Sequence, residues 1–384
     1  MAVMRVRRRI LLRAASLALI SSLQFLVAMA FGQAAPDFTQ ADAMLEWLRA
    51  CHAGKGTKTE ADRVISLPGT ELVVGQQNIS RRVTVRQYRQ VLEAACAGRI
   101  ADVQPAELGT RGEKGVAGLF EDVAPSLIWG RDKVPLLESR LAELRRNQSI
   151  GNAVPLAQKY LPEPIALAPK LYVVMGGRAG AAAIDDQLYF DVLSTAWRES
   201  RGLSRSISPA EVVEFFAHET HHLGYGQILD RKRASLRLTP AESQAWGFLV
   251  ATMMEGSATL LINGHEKLAD LERQPDIQPY LAKAPDLLPT MQNLLRRALS
   301  GPMSDEAYEK ASSPFLNMGY HATGAVLLAA IEKKRGLAGV MKVMDDPVRL
   351  LAAYNECGGE SSVAFRFDRD LAEQVTHIGE GRQP

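Results

Sequence analysis

Apolar residues return with helical spacing over ADAMLEWLRAC (41–51) and VTVRQYRQVLEAACAG (83–98), so both stretches read as helices with one buried face. Between them, LPGTELVVGQQ (67–77) carries turn chemistry and one short strand. Helical spacing resumes over residues 116–147, broken at Pro125 and near Gly130. Three prolines in LPEPIALAPK mark a boundary at residues 161–170. The pattern then changes: LYVVM and AIDDQLYFDV are β-prone runs on either side of a Gly-rich turn. Beyond them the chain returns to helix.

Two helix starts are legible in the residues themselves. Ser208-Pro209-Ala210-Glu211 and Thr239-Pro240-Ala241-Glu242 are both capping boxes with proline at the first helical position. They predict helices from about Pro209 to Asp230 and from about Pro240 to Asn263, the second stopped by Gly264. A later helix in SSPFLNMGYHATGAVLLAAIEKKRG begins near Leu316 or Asn317.

Composition adds bounds. The 384 residues are 47% hydrophobic and 23% charged, which suits two to three globular domains or one large domain and excludes a disordered or fibrous chain. The first 30 residues stand apart. MAVMRVRRRILLR holds five arginines and no acid, and a small-residue apolar run follows, ending at Ala28-Met29-Ala30. This is the arrangement of a secretory signal peptide cut after Ala30, giving a periplasmic or secreted protein. The alternative is an uncleaved membrane anchor, although the run is short of the roughly 20 residues that a span needs. No other stretch reads as a membrane span. Without this segment the chain has 40 basic and 43 acidic residues, net −3, and no basic stripe to bind nucleic acid. Cys51 and Cys96 form either a disulfide in the oxidising compartment or two buried thiols, and Cys357 is left over.

The chemistry concentrates in EFFAHETHHLGYG (214–226). On a helix, His218 and His222 lie four residues apart on one face and can converge on one ion. His221 points elsewhere. Glu219 follows the first histidine and can reach a water beside the ion. The pattern is H-E-x-x-H, two zinc ligands and a general base, and its apolar flanks bury the helix. A catalytic zinc needs a third protein ligand. Ile228 stands where a metzincin has its third histidine, and Asp230 is too far along the axis. Glu255 lies in the middle of the next helix, otherwise apolar on nearly every face. A metal would offset the cost of burying its carboxylate. The alternative to a ligand role is pairing with a buried Arg or Lys. Gly256 and Ala258 would let this helix approach the histidine helix closely.

HETHH on one helix and EGSA on the next resemble the gluzincin group of zinc metallopeptidases. A closer resemblance is to a bacterial group of zinc-dependent peptidases with H-E-x-x-H and a later E-G-x-A, covering roughly residues 165–355. The resemblance implies His218, His222 and Glu255 as ligands of one Zn²⁺ and Glu219 as base. It also implies that a strand beside the cleft, LYVVM or AIDDQLYFDV, pairs with an extended peptide or protein substrate. Tyrosine or histidine stabilises the oxyanion in related enzymes. Tyr320 is the first candidate here and His321 the second, and an aromatic packed on the core is the plain alternative for Tyr320.

The expected fold is a mainly helical α+β protein. Residues 31–165 form an N-terminal helical region, 166–300 a zincin-like catalytic region with a small sheet, and 301–384 a helical region that completes the cleft. The expected function is an exported zinc metallopeptidase. The rivals are a non-catalytic zinc-binding envelope protein with a degenerate peptidase fold, and a metal-free membrane-anchored scaffold.

Overall fold

The computed structural model describes residues 35–74, 83–100, 119–177, 180–316, 318–357 and 365–380. The segment 1–30, read from the sequence as a signal peptide, and Asn317 lie outside the described residues.

Among the described residues, four helices open the fold: α1 (Thr39–His52), α2 (Lys58–Ile65), α3 (Pro68–Val74) and α4 (Val85–Cys96). Thr57 with Glu60 and Thr84 with Gln87 form capping boxes that start α2 and α4. A Cys51–Cys96 disulfide, with Cα atoms 5.1 Å apart, ties the end of α1 to the end of α4. Cys357 is free and buried. The strand expected in LPGTELVVGQQ is instead α3. Its β-prone LVV run buries Leu72, Val73 and Val74, so tertiary packing overrides local propensity.

The next helices are α5 (Ala124–Asp132) and α6 (Val134–Arg146). The break falls at Lys133, not near Gly130, and both Pro125 and Pro135 sit in a first turn, where proline is tolerated. Gly130 stays helical, and Leu193 fills the space beside it, 2.6 Å from where a Cβ would stand. A short α7 (Ala153–Lys159) leads to the sheet.

The sheet has three strands: β1 (Lys170–Val174), β2 (Ala181–Ile184) and β3 (Gln187–Asp191), in the order β1-β3-β2. AIDDQLYFDV is thus two strands, reversed at Asp185-Asp186, with Asp185 at φ 52°. The central β3 runs parallel to β1 and antiparallel to β2. On the outer side of β1, Asp37 N–H donates to the Leu171 carbonyl at 2.8 Å, and Val173 N–H donates to the Asp37 carbonyl at 2.9 Å.

Helices build the rest: α8 (Val192–Ser200), α9 (Pro209–Ser235), α10 (Pro240–Ala258), α11 (Ala284–Ser300), α12 (Asp305–Ser312), α13 (Gly319–Asp345), α14 (Leu350–Glu356) and α15 (Arg369–Thr376). Both capping boxes expected from the sequence start their helices. α9 runs five residues past Asp230, and α10 continues through a π-helical turn, Thr259–Asn263, to Gly264. Segment Pro240–Asn263 is long and apolar enough to cross a bilayer, which corrects the expectation of no further such stretch. It is 72% buried over its most apolar window, as a core helix is. α10 packs against α9, α11 and α13. Gly256 faces Gly324 of α13, not the histidine helix as expected. A Cβ on Gly256 would stand 2.4 Å from the Gly324 backbone, and one on Gly324 would stand 2.1 Å from the Thr252 carbonyl oxygen. α13 starts at Gly319 and bends at Gly336, φ 64°. Most of the buried apolar side chains form one cluster that reaches from Ala41 to Ile378.

Candidate metal centre

Helix α9 buries Phe216, Ala217, His218, Thr220, His221, Tyr225 and Ile228, so its histidines are held by core packing on both sides. His218 and His222, one turn apart, stand with ring centroids 4.5 Å apart and planes nearly perpendicular. His221 turns away. It is fully buried, and its Nε2–H donates to the Tyr160 carbonyl at 3.3 Å. Burial first, then the neighbouring His222 and His218, push its pKa down to about 3, so it is neutral at pH 7.

Glu255 on α10 faces His218 and His222. Its Oε2 lies 3.1 Å from His222 Nε2 and 3.7 Å from His218 Nε2. No buried Arg or Lys pairs with it among the described residues. A third imidazole arrives from the first turn of α13: His321 Nε2 is 3.2 Å from the same oxygen. Burial alone would raise the Glu255 pKa. Contacts with His218 and His222, with the charges of His222 and His321, reverse this and hold it far below the carboxylate range. Burial also acts on the histidines. His321 is pushed down to about 4, with Glu255 only partly offsetting it, while His222 is raised because Glu255 outweighs burial and Glu219 assists.

The outer nitrogens of His218 and His321 are fixed by partners on the π-helical turn after α10, while His222 Nδ1 is buried without a hydrogen-bond partner among the described residues. His218 Nδ1–H donates to Asn263 Oδ1 at 2.7 Å, and His321 Nδ1 hydrogen-bonds with Thr259 Oγ1 at 2.9 Å. Asn263 Oδ1 only accepts and so turns the His218 Nε2 lone pair inward, as in metal sites, while the Thr259 hydroxyl admits either tautomer of His321. Sequence reasoning passed over Thr259 and Asn263, although they follow Glu255 at four-residue steps, the spacing of one helix face.

The donor set fits zinc. Glu255 Oε2 is buried, makes no hydrogen bond of good geometry, and is ringed by three imidazole nitrogens. Three histidine nitrogens and one carboxylate oxygen are ligand types that zinc takes. The ligand atoms of His218, Glu255 and His321 lie within 4.8 Å of one another.

Glu219 is half-buried on α9 beside this group, and its charge reaches His222. Tyr320 lies apart. Its ring packs against Phe248 at 5.4 Å and Phe315 at 5.6 Å, and burial raises its hydroxyl pKa. The neighbouring residue, His321, is the one that faces the centre.

The family model "Putative zinc dependent peptidase (DUF5700)" matches residues 131–359. That span runs from α6 through α14 and contains every side chain of the centre, while α1 to α4 and their disulfide lie before it. No curated protein and no solved structure matches the chain.

Proposed function

This chain belongs to that family, and from that premise we propose that it is an exported, gluzincin-type zinc metallopeptidase that hydrolyses peptide bonds. The observation that carries the reading is the convergence of His218, His222 and His321 on one unsatisfied oxygen of Glu255. His218, His222 and Glu255 would hold the ion. Zinc, when bound, supplies Lewis acidity that polarises a carbonyl and acidifies a water.

The chain's own residues do the rest. Glu219 takes the proton of the attacking water and passes it to the leaving amine. His218 and His222 are kept in register by the core face of α9, and Asn263 fixes the orientation of the His218 ring. On the α13 side, His321 faces the centre and is placed to meet the developing oxyanion, while Tyr320 packs behind it. Extended substrate pairs with β2 by strand addition. Of the two runs first considered, β3 is central in the sheet and the outer side of β1 carries the Asp37 bridge, whereas β2 is an outer strand against α9.

Export rests on the signal-like residues 1–30, and the Cys51–Cys96 disulfide agrees with an oxidising compartment. Partners are then peptide or protein substrates, with a membrane involved only where the N-terminal segment is retained.

The test pairs metal content with hydrolysis. Wild type should hold about one zinc per chain and cleave members of a peptide library. Glu255→Ala should lose most of the metal. Glu219→Gln should keep the metal and lose cleavage by 10²-fold or more, on the order expected for a general base. Retained cleavage in Glu219→Gln would sink the mechanism. Metal without cleavage in the wild type would favour the zinc-binding envelope protein.

A further inference from the structure

We infer that His321 is a fourth protein ligand of the zinc centre at rest, and the one that detaches to open it. The inference rests on the zinc reading above and goes beyond the two-histidine, one-glutamate set of that reading. Its first ground is position. His321 Nε2 lies as near Glu255 Oε2 as His222 does, 3.2 against 3.1 Å. The three ligand atoms that lie mutually within 4.8 Å take in His321 rather than His222. Four ligands around zinc, with metal–ligand bonds of about 2.0–2.1 Å, sit about 3.3 Å apart along the tetrahedral edges. The three edges that start at Glu255 Oε2, 3.1, 3.2 and 3.7 Å, bracket that value, and His222, which the mutual 4.8 Å group leaves out, must close on the other two imidazoles to complete the set.

The second ground is the difference between the outer partners. Asn263 Oδ1 only accepts, so His218 must carry its proton on Nδ1 and present a lone pair at Nε2. The Thr259 hydroxyl both donates and accepts. With Nδ1–H donating to Thr259, His321 presents a lone pair and ligates. With the Thr259 hydroxyl donating to Nδ1, the same ring carries N–H at Nε2 and becomes a hydrogen-bond donor. One side chain can therefore serve as ligand in the closed centre and as oxyanion donor in the open one, without leaving the site.

The third ground is mechanical. His218 and His222 sit in the middle of a 27-residue helix, locked by its buried face. His321 is the third residue of α13, whose first turn has no side-chain cap, and it is the most exposed of the three imidazoles at 18%. A ligand in an uncapped first turn is the one that yields at least cost.

Cobalt(II) tests this in the full-length protein, since it reports coordination by its visible absorption. Wild type should bind one cobalt with the intense bands of a four-coordinate ion. His321→Ala and His321→Gln should bind it at least about 10-fold more weakly and with altered bands. Thr259→Val, which keeps shape and removes the hydroxyl, should weaken binding by about 10- to 100-fold, as loss of an outer partner does. Tyr320→Phe, one residue away, should change neither. Far-ultraviolet circular dichroism checks that each variant is folded, and Thr259→Val carries the test should both His321 variants unfold. Wild-type affinity and bands in folded His321 variants, or in Thr259→Val where they unfold, would overturn the inference and leave the peptidase reading standing. Failure of the wild type to bind cobalt would overturn both.

Discussion

Two flanks meet at Glu255, and they are built differently. On one flank, α9 and α10 each begin with a proline-led capping box, and the residues of the candidate centre follow at helical spacing from those starts. On the other, α13 begins at Gly319 without a side-chain cap and without an acid in its first turn. What places His321 is contact between backbones: Gly256 and Gly324 let α10 and α13 touch where any side chain would intervene. The first flank is specified by neighbours in sequence, the second by a tertiary contact between residues 68 positions apart. A centre assembled this way has a fixed half, His218 and His222, and a half that depends on how closely two helices approach.

The sharpest way to break that comparison is to separate the second flank while leaving the first intact. Gly324→Val would put Cβ 2.1 Å from the Thr252 carbonyl oxygen and 2.6 Å from Gly256 Cα. Backbone cannot yield as a flexible side chain can, so the helices must move apart. The expected cost is about 3 kcal/mol, the upper part of the range for overpacking. It is read as a lower urea midpoint with an unchanged slope. Cobalt affinity should fall with it, because His321 moves with α13. Wild-type stability in Gly324→Val would show that the close approach is not what holds the two helices.

This asymmetry also explains how much could be read from the sequence. The capping boxes, the histidine spacing and the isolation of Glu255 are local signals, and they led to His218, Glu219, His222 and Glu255. The α13 side offered two adjacent polar aromatics, Tyr320 and His321, with nothing local to rank them. The fold separates them: Phe248 and Phe315 take up the Tyr320 ring, and Thr259 holds His321, which faces Glu255. Gly256 was legible as a point of close approach, but its partner was not, since a missing side chain does not name the helix it admits. In the same way, LVV in α3 has the composition of a strand, and only its buried surroundings make it helix.

His221 sharpens the comparison from within the first flank, because it separates core packing from metal binding on the same helix turn. Its folded pKa, about 3, lies below the ordinary histidine value of 6.5. Between those values the unfolded chain binds a proton that the folded chain refuses, so stability falls as pH falls from 6.5 towards 3. Each pH unit in that window costs up to about 1.4 kcal/mol. His221→Gln can still offer N–H to the Tyr160 carbonyl but does not titrate. Between pH 7 and pH 5, wild type should lose about 2 kcal/mol more stability than His221→Gln, measured by urea unfolding in the absence of metal. Equal losses would mean that His221 is not the buried neutral group the fold makes it.

The smallest expected effect tests whether the local start signal of α9 still matters once the core has formed. Ser208 accepts from Glu211 N–H at 3.4 Å, while the Glu211 carboxylate accepts from Ser208 N–H at 2.8 Å and pairs with Arg205. Ser208→Ala removes the first contact and also the donation of the Ser208 hydroxyl to the Glu211 carboxylate at 2.8 Å, and it keeps the other two. The loss should therefore be about 1 kcal/mol or less, at the modest end for an N-cap. Cobalt affinity should not change, because His218 lies nearly three turns beyond the cap and is held by Phe216, Ala217 and their neighbours in the core. A loss of metal binding in Ser208→Ala would reverse the contrast between the flanks. It would mean that the register of α9 is set from its end rather than by its buried face, and that the half taken here as fixed is the half most open to disturbance.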